Sequence, residues 1–194
     1  MTKRAKIIDD HVLESILKYV AQGDNGLRDK VMLLLSHKAG LRAAEIAGLT
    51  WGDVLDATGT LSKESLVIPG NIAKYGRGRE IPMHPLLYDA LQEYKQSLSK
   101  LTANTRLILC QDGVTRMSPN NMAVYIRRIY NRVGLMGCSS HSGRRTFITK
   151  AARMVNDYNC SLLDVQRIAG HANLDTTEAY IEPSNNVAAM VRQL

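Results

Sequence analysis

Helix start and stop signals recur along almost the whole chain, and one interval breaks the pattern. Residues 52–60 are turn-rich. After them, 64–69 (ESLVIP) and 79–83 (REIPM) read as short strands on either side of a basic, glycine-containing turn, Lys74-Tyr75-Gly76-Arg77-Gly78. A third short strand is expected at 106–110 (RLILC). Helical periodicity covers most of the remainder, so the fold class is α+β: mainly helical, with one small antiparallel three-stranded sheet inserted early.

The helices can be placed from their caps. Asp9 or Asp10 can cap a helix to about Ala21, with Val12, Ile16, Leu17 and Val20 on one face. A second, strongly apolar helix runs from Leu27 to Lys38 and is stopped by Gly40. Arg42 opens a short third helix. Pro85 starts a helix to about Lys100, and Ser118-Pro119 starts one to about Val133. Ser139 or Ser140 can cap the helix holding His141, Arg144 and Phe147. Ser161 with Asp164 forms a capping box for a helix to Ala169. Asp175 starts a short helix bearing Tyr180, and Asn186–Leu194 is a last short amphipathic helix. No internal repeat or linker divides the chain, so residues 1–194 read as a single domain, with 185–194 a candidate for exchange between copies.

A formal net charge of +7 points to an anionic partner, most simply nucleic acid. No acidic residue falls between Asp112 and Asp157, an interval holding Arg116, Arg127, Arg128, Arg132, Arg144, Arg145, Lys150 and Arg153. Solvated helix faces usually mix both signs, so a one-sign stretch fits a phosphate-facing surface. The three cysteines, Cys110, Cys138 and Cys160, have no C-x-x-C spacing and suit a reducing cytoplasm. The longest apolar run, Val31 to Leu35, is too short to cross a membrane, and no signal peptide is read at the N-terminus.

Three stretches carry chemistry. Gly40-Leu41-Arg42-Ala43-Ala44-Glu45 places an arginine at the start of a mostly apolar helix, with Glu45 on the same face. His141-x-x-Arg144 puts an imidazole and a guanidinium about one turn apart, and Arg suits bidentate contact with phosphate oxygens. Gly170-His171 is followed nine positions after the histidine by Tyr180. Each, taken alone, also fits a surface ion pair or a capped helix end. Residues 165–181 also fit a helix-turn-helix, but the second helix carries two acids and no Arg or Lys, the wrong chemistry for reading base edges. No H-x-x-x-H or zinc-spaced Cys/His cluster, no G-x-S-x-G and no Walker A sequence occurs, so no metal or cofactor is expected.

As a set, these residues resemble the tyrosine recombinase (phage integrase) family, in separated motifs and in the right order from about Leu33 to Tyr180. GLRxxEIxxLxW is similar to the family's first-arginine motif, giving Arg42 and Glu45. Lys74 resembles its β-hairpin lysine, His141 and Arg144 its H-x-x-R pair, and Ala169-Gly170-His171 its L-G-H signature. Tyr180 falls where the family places its nucleophile. Two positions depart: Gly143, usually apolar there, is expected to loosen local packing, and Ala169 replaces a leucine. Because the first-arginine motif begins at residue 40, the N-terminal core-binding domain is expected to be missing, as in a catalytic fragment or a short recombinase of the fimbrial-inversion kind.

The resemblance implies site-specific strand cleavage and rejoining through a 3′-phosphotyrosine, without metal or ATP. Tyr180 would attack the phosphorus, Arg42, Arg144 and His171 would hold its oxygens, Lys74 would protonate the leaving 5′ oxygen, and His141 would help accept the tyrosine proton. Glu45 would support Arg42 from behind. Arg77, Arg79, Arg127, Arg128, Arg132, Arg145 and Lys150 are candidate contacts to double-stranded DNA. A homotetramer on DNA, and a monomer or dimer without it, is the implied assembly, in a prokaryotic, phage or mobile-element setting. The alternatives are a type IB topoisomerase-like nick-and-reseal enzyme and a non-catalytic helix-turn-helix regulator.

Overall fold

The computed structural model describes residues 5–181, 191 and 192. Helix α2 (Gly26–Lys38) is the centre of the molecule. Val31, Met32, Leu33, Leu34 and Leu35 are each at most 1% exposed, so this helix is buried all round. Around it pack α1 (Asp10–Ala21), α4 (Pro85–Gln96) and α6 (Ser142–Met154). The charged first turn of α2 is buried too and is internally satisfied. Arg28 bonds Asp29 (Nη2–Oδ1, 2.7 Å) and the Leu109 carbonyl (3.0 Å), while the Tyr125 hydroxyl donates to Asp29 at 2.7 Å. That network ties α2 to α5 (Pro119–Arg132), which also packs on α3 (Ala43–Gly48).

The helix ends follow local chemistry. Ser118 Oγ accepts the Asn121 N–H to start α5, and Pro119 sits in its first turn. Gly40 adopts φ 66° to turn the chain after α2, and a side chain there would collide with the Phe147 ring. Expectations fail at three ends; at α6 the N-cap is His141, not Ser139 or Ser140. Asp9 occupies the N-cap position of α1 but makes no side-chain cap bond, and the Asp10 carboxylate pairs instead with Lys38 (3.2 Å) and Lys150 (2.6 Å). Helix α4 stops at Gln96, short of Lys100, where the Ser97 hydroxyl donates to the Tyr94 carbonyl at 2.7 Å and turns the chain.

The sheet has two strands, β1 (Ser65–Ile68) and β2 (Arg79–Pro82), paired antiparallel with Leu66 opposite Ile81 and Ile68 opposite Arg79. Leu66, Ile68 and Ile81 face the core while Val67 is out in solvent. The expected third strand at 106–110 does not join them. Leu107 and Ile108 are adjacent and both fully buried, which breaks the alternation a strand needs, so they plug the core. Their backbone pairs with the loop leaving α3 instead: Leu107 N–H to Leu49 O, and Trp51 N–H to Thr105 O, both 2.9 Å.

The last third of the described chain is a smaller unit. Helix α7 (Leu162–Ala169) begins where Asp164 accepts both the Ser161 N–H and hydroxyl. It ends at Gly170, in the left-handed conformation. A five-residue helix, α8 (Leu174–Glu178), follows. Val165 and Ala169 pack with Ile148 of α6 in a small apolar cluster, and Phe147 and Tyr180 lean on it. Tyr180 lies in the turn just past α8 rather than on it, because α8 ends at Glu178. The expected terminal helix, Asn186–Leu194, lies outside the described residues except for Val191 and Arg192. Among the described residues no helix is long and apolar enough to cross a membrane.

Candidate active site

Three arginines converge on the C-terminal end of α7. Arg79, on β2, donates from Nε to the Ile168 carbonyl at 2.8 Å. Arg144, in the first turn of α6, donates from Nη2 to the Ala169 carbonyl at 2.7 Å and from Nη1 to the Gly40 carbonyl at 2.6 Å. Arg42, at the start of α3, donates from Nη2 to the Gly170 carbonyl at 3.2 Å. Those carbonyls lie at a helix end, where the helix has no amide partners for them and its dipole is negative. The end of α7 thus supplies one backbone acceptor to each of the three guanidiniums.

One carboxylate completes the cluster. Glu45 is 1% exposed and accepts from the Arg42 backbone N–H (2.8 Å), Arg42 Nη1 (2.8 Å), Arg79 Nη1 (2.9 Å) and Arg79 Nη2 (3.0 Å). Burial pushes its carboxyl up, but the Arg79 hydrogen bond and charge, with those of Arg42, hold it below the usual value. Burial and then the Arg42 charge pull the Arg144 guanidinium down to about 10, against the opposing pull of Glu45 and Tyr180, so it stays charged at neutral pH.

Histidine and tyrosine sit on this cluster. His171 follows the Gly170 turn, with its Nδ1 2.9 Å from Thr177 Oγ1. Its ring stacks on Tyr180, centroids 5.6 Å apart and 25° between planes. Burial, then the charges of Arg144, Arg42 and Arg79, lower its pKa to about 4, so the ring is neutral. The Tyr180 backbone is pinned by the Thr149 hydroxyl, which donates to its carbonyl at 3.3 Å. His141, at the N-cap of α6, has its pKa lowered by desolvation first and then by Arg144 and Arg42.

The structure thus gathers Arg42, Glu45, His141, Arg144, His171 and Tyr180 from across the chain. Lys74 is not in that group. It sits in the exposed turn between β1 and β2 with its Nζ 4.8 Å over the Tyr75 ring. Tyr75 itself holds φ 63°, strained for a residue with a side chain. The turn nevertheless borders the site, because Arg77 Nη1 reaches the Ala172 carbonyl at 3.5 Å. Between turn and helix lies a cavity of about 340 Å³ lined by Arg77, Arg79, Gln166, Arg167 and His171.

Among the candidate DNA contacts, Arg127, Arg128 and Arg132 are exposed along one helix, and Arg145 is half-buried. Two candidates already have partners within the fold. Lys150 is engaged by Asp10, and the Arg79 side chain is only 7% exposed and spends its donors on Glu45 and Ile168. The signal for Arg79 was in the sequence: period-two alternation puts it on the same face as the buried Ile81. The expectation for Gly143 is overturned. A Cβ there would collide with Ser36 Oγ and lie 2.7 Å from His37 Cδ2, so α2 fills the space and the packing is tight, not loose.

Buried Arg144 and half-buried Arg42, both fixed by internal bonds, lie beside a phenol and a neutral imidazole on a helical scaffold, an arrangement chemically suited to an anionic group. The sequence model of the phage integrase family matches residues 6–186, and this chain belongs to that family. It is 29% identical to the tyrosine recombinase XerA of Pyrococcus horikoshii over 167 residues, 86% of this chain and 54% of that protein. It is 29% identical to XerC of Herpetosiphon aurantiacus over 188 residues, 95% of this chain and 56% of that protein. This chain therefore spans little more than half the length of these relatives. In fold it is similar to the Tn1549 transposon integrase solved in complex with a circular intermediate DNA. The TM-score there is 0.77, at 20% identity, over 100% of this chain and 67% of that one. It is also similar to a crystal structure of XerA recombinase, with TM-score 0.71 and 21% identity, over 98% of this chain and 66% of that one.

Proposed function

We propose that this chain is the catalytic domain of a site-specific DNA recombinase that cleaves and rejoins strands through Tyr180. The observation that carries the reading is the stacking of Tyr180 on His171 beside Arg144, over a cluster whose arginines are already fixed. In cleavage, the Tyr180 Oη attacks the scissile phosphorus and the P–O5′ bond breaks, leaving a 3′-phosphotyrosine and a 5′-hydroxyl. The phenol proton passes toward His141, whose lowered pKa leaves it neutral and able to accept. Lys74 supplies the proton for the 5′ oxygen, which requires its turn to fold down onto bound DNA. Arg42, Arg144 and His171 hold the non-bridging oxygens as charge grows on them. A 5′-hydroxyl of another strand then attacks the phosphotyrosine and releases Tyr180.

Double-stranded DNA is the proposed partner, with the exposed Arg127, Arg128 and Arg132 on phosphates. DNA-bound structures of similar integrases and recombinases support this. A tetramer on DNA is proposed because exchange between two duplexes needs four cleavages. The test uses nicked suicide duplexes selected from a random-sequence pool. A covalent protein–DNA complex that Tyr180→Phe abolishes is expected. Tight binding with unaltered DNA in the unmutated protein would instead favour a regulator.

A further inference from the structure

Thr177 is fully buried, 0% exposed, three residues before Tyr180, and it faces His171 across 2.9 Å. Between these two groups the proton can be arranged in two ways. In one, the Thr177 hydroxyl donates to Nδ1 and the ring proton sits on Nε2. In the other, Nδ1–H donates to Oγ1 and Nε2 is a bare acceptor. Among the described residues Oγ1 has no partner besides His171, so the second arrangement leaves a buried hydroxyl hydrogen with nothing to bond. Burying an unpaired donor is costly, and the first arrangement avoids it. Nε2 makes no hydrogen bond to any described residue, and the His171 side of the site lines the cavity beside Arg77 and Arg79.

We propose that Thr177 is a positioning residue: by donating to Nδ1 it fixes the His171 proton on Nε2 and makes the ring a hydrogen-bond donor to the scissile phosphate. This rests on the catalytic reading above. A neutral ring has one proton only, so its placement decides whether His171 attracts an anionic oxygen or repels it. The lowered pKa of His171, near 4, is what makes the ring neutral at working pH. The same bond ties the loop after α7 to α8, and so links the orientation of the histidine to the turn that presents the nucleophile.

The test combines spectroscopy and kinetics. Long-range nitrogen–proton NMR of the DNA-free protein at pH 7 reports the tautomer of His171 directly. Protonation at Nε2 in the unmutated protein is expected, and protonation at Nδ1 overturns the proposal without any variant. Thr177→Val keeps the shape and removes the donor, so single-turnover formation of the covalent complex should fall roughly 10–100-fold. DNA affinity should hold, and Thr177→Ser should restore most of the rate. In a His171→Gln background, Thr177→Val should cost nothing further, and an undiminished loss there would mean that Thr177 does not act through the histidine. If the unmutated protein forms no tyrosine adduct, the catalytic reading fails, while the tautomer measurement still decides the bond.

Discussion

Replacing Arg79 separates two readings of the same residue. As a surface contact to DNA phosphate it would contribute little to the DNA-free fold, within about 1 kcal/mol. The structure instead makes it the main counter-ion of a carboxylate that is 1% exposed, through two hydrogen bonds of 2.9 and 3.0 Å, with a third bond at 2.8 Å to the end of α7. Arg79→Met keeps the stem and removes all three. Removing one partner of a buried ion pair costs roughly 3–5 kcal/mol. Arg42 still faces Glu45, so the lower end is expected. Against a total stability of about 5–15 kcal/mol this is large. Urea unfolding at pH 7 measures it, and Glu45→Gln in the Arg79→Met background should return part of the loss by removing the stranded charge. A cost below about 1 kcal/mol, together with a drop of about 0.9 in the salt slope of DNA binding, would mean that Arg79 faces phosphate and that this reasoning is wrong.

Gly143→Leu should destabilise by roughly 1–3 kcal/mol in the same assay, because Ser36 and His37 occupy the space a side chain would need; a gain in stability would restore the expectation of a slack position. His37, whose burial lowers its pKa to about 3, and His171, near 4, stay neutral in the fold but take a proton on unfolding below about pH 6.5. Stability should therefore fall as pH drops from 6.5 toward 4, by up to roughly 1.4 kcal/mol per pH unit for each histidine, and His37→Gln should flatten that slope in denaturation series. Neutralising Arg127, Arg128 and Arg132 together should lower the salt slope of DNA binding by about 0.9 for each phosphate these side chains had neutralised, and an unchanged slope would remove the basic face of α5 from the interface.

How much of this was legible in the sequence depended on whether the information was local. Helices α2, α5 and α7 could be placed because Gly40, Ser118-Pro119 and Ser161 with Asp164 state their own ends within a few residues. Arg42 with Glu45 was legible for the same reason, since three residues on a helix turn settle their contact. What failed was long-range. Whether 106–110 joined the sheet depended on where Leu107 and Ile108 were needed in the core, which no local pattern reports. Gly143 read as slack because the neighbour filling its space comes from α2, over a hundred positions away. Thr177 carried no signal beyond helix composition, and only the folded geometry puts it on His171.

The charge balance of the cluster favours an anion more negative than the ground-state substrate. Arg42, Arg79 and Arg144 face a single carboxylate, Glu45, and the other acceptors they use are neutral carbonyls of residues 40, 168, 169 and 170. Two positive charges are left over among largely buried groups. A phosphodiester carries one negative charge, while the five-coordinate species formed on attack by Tyr180 carries two. On the proposed mechanism the charge would therefore match the transition state better than the ground state, the condition under which binding energy accelerates a reaction. The donors are also fixed beforehand. Arg144 uses one N–H on each terminal nitrogen for Gly40 and Ala169, and each of those nitrogens keeps a second N–H. Arg42 is held likewise by Glu45 and Gly170. On the proposed mechanism, guanidiniums held in this way would meet the phosphate oxygens with little reorganisation. Arg79 differs in that its Nε is also engaged, by the Ile168 carbonyl, and both its terminal nitrogens bond Glu45, which makes it the most heavily anchored of the three.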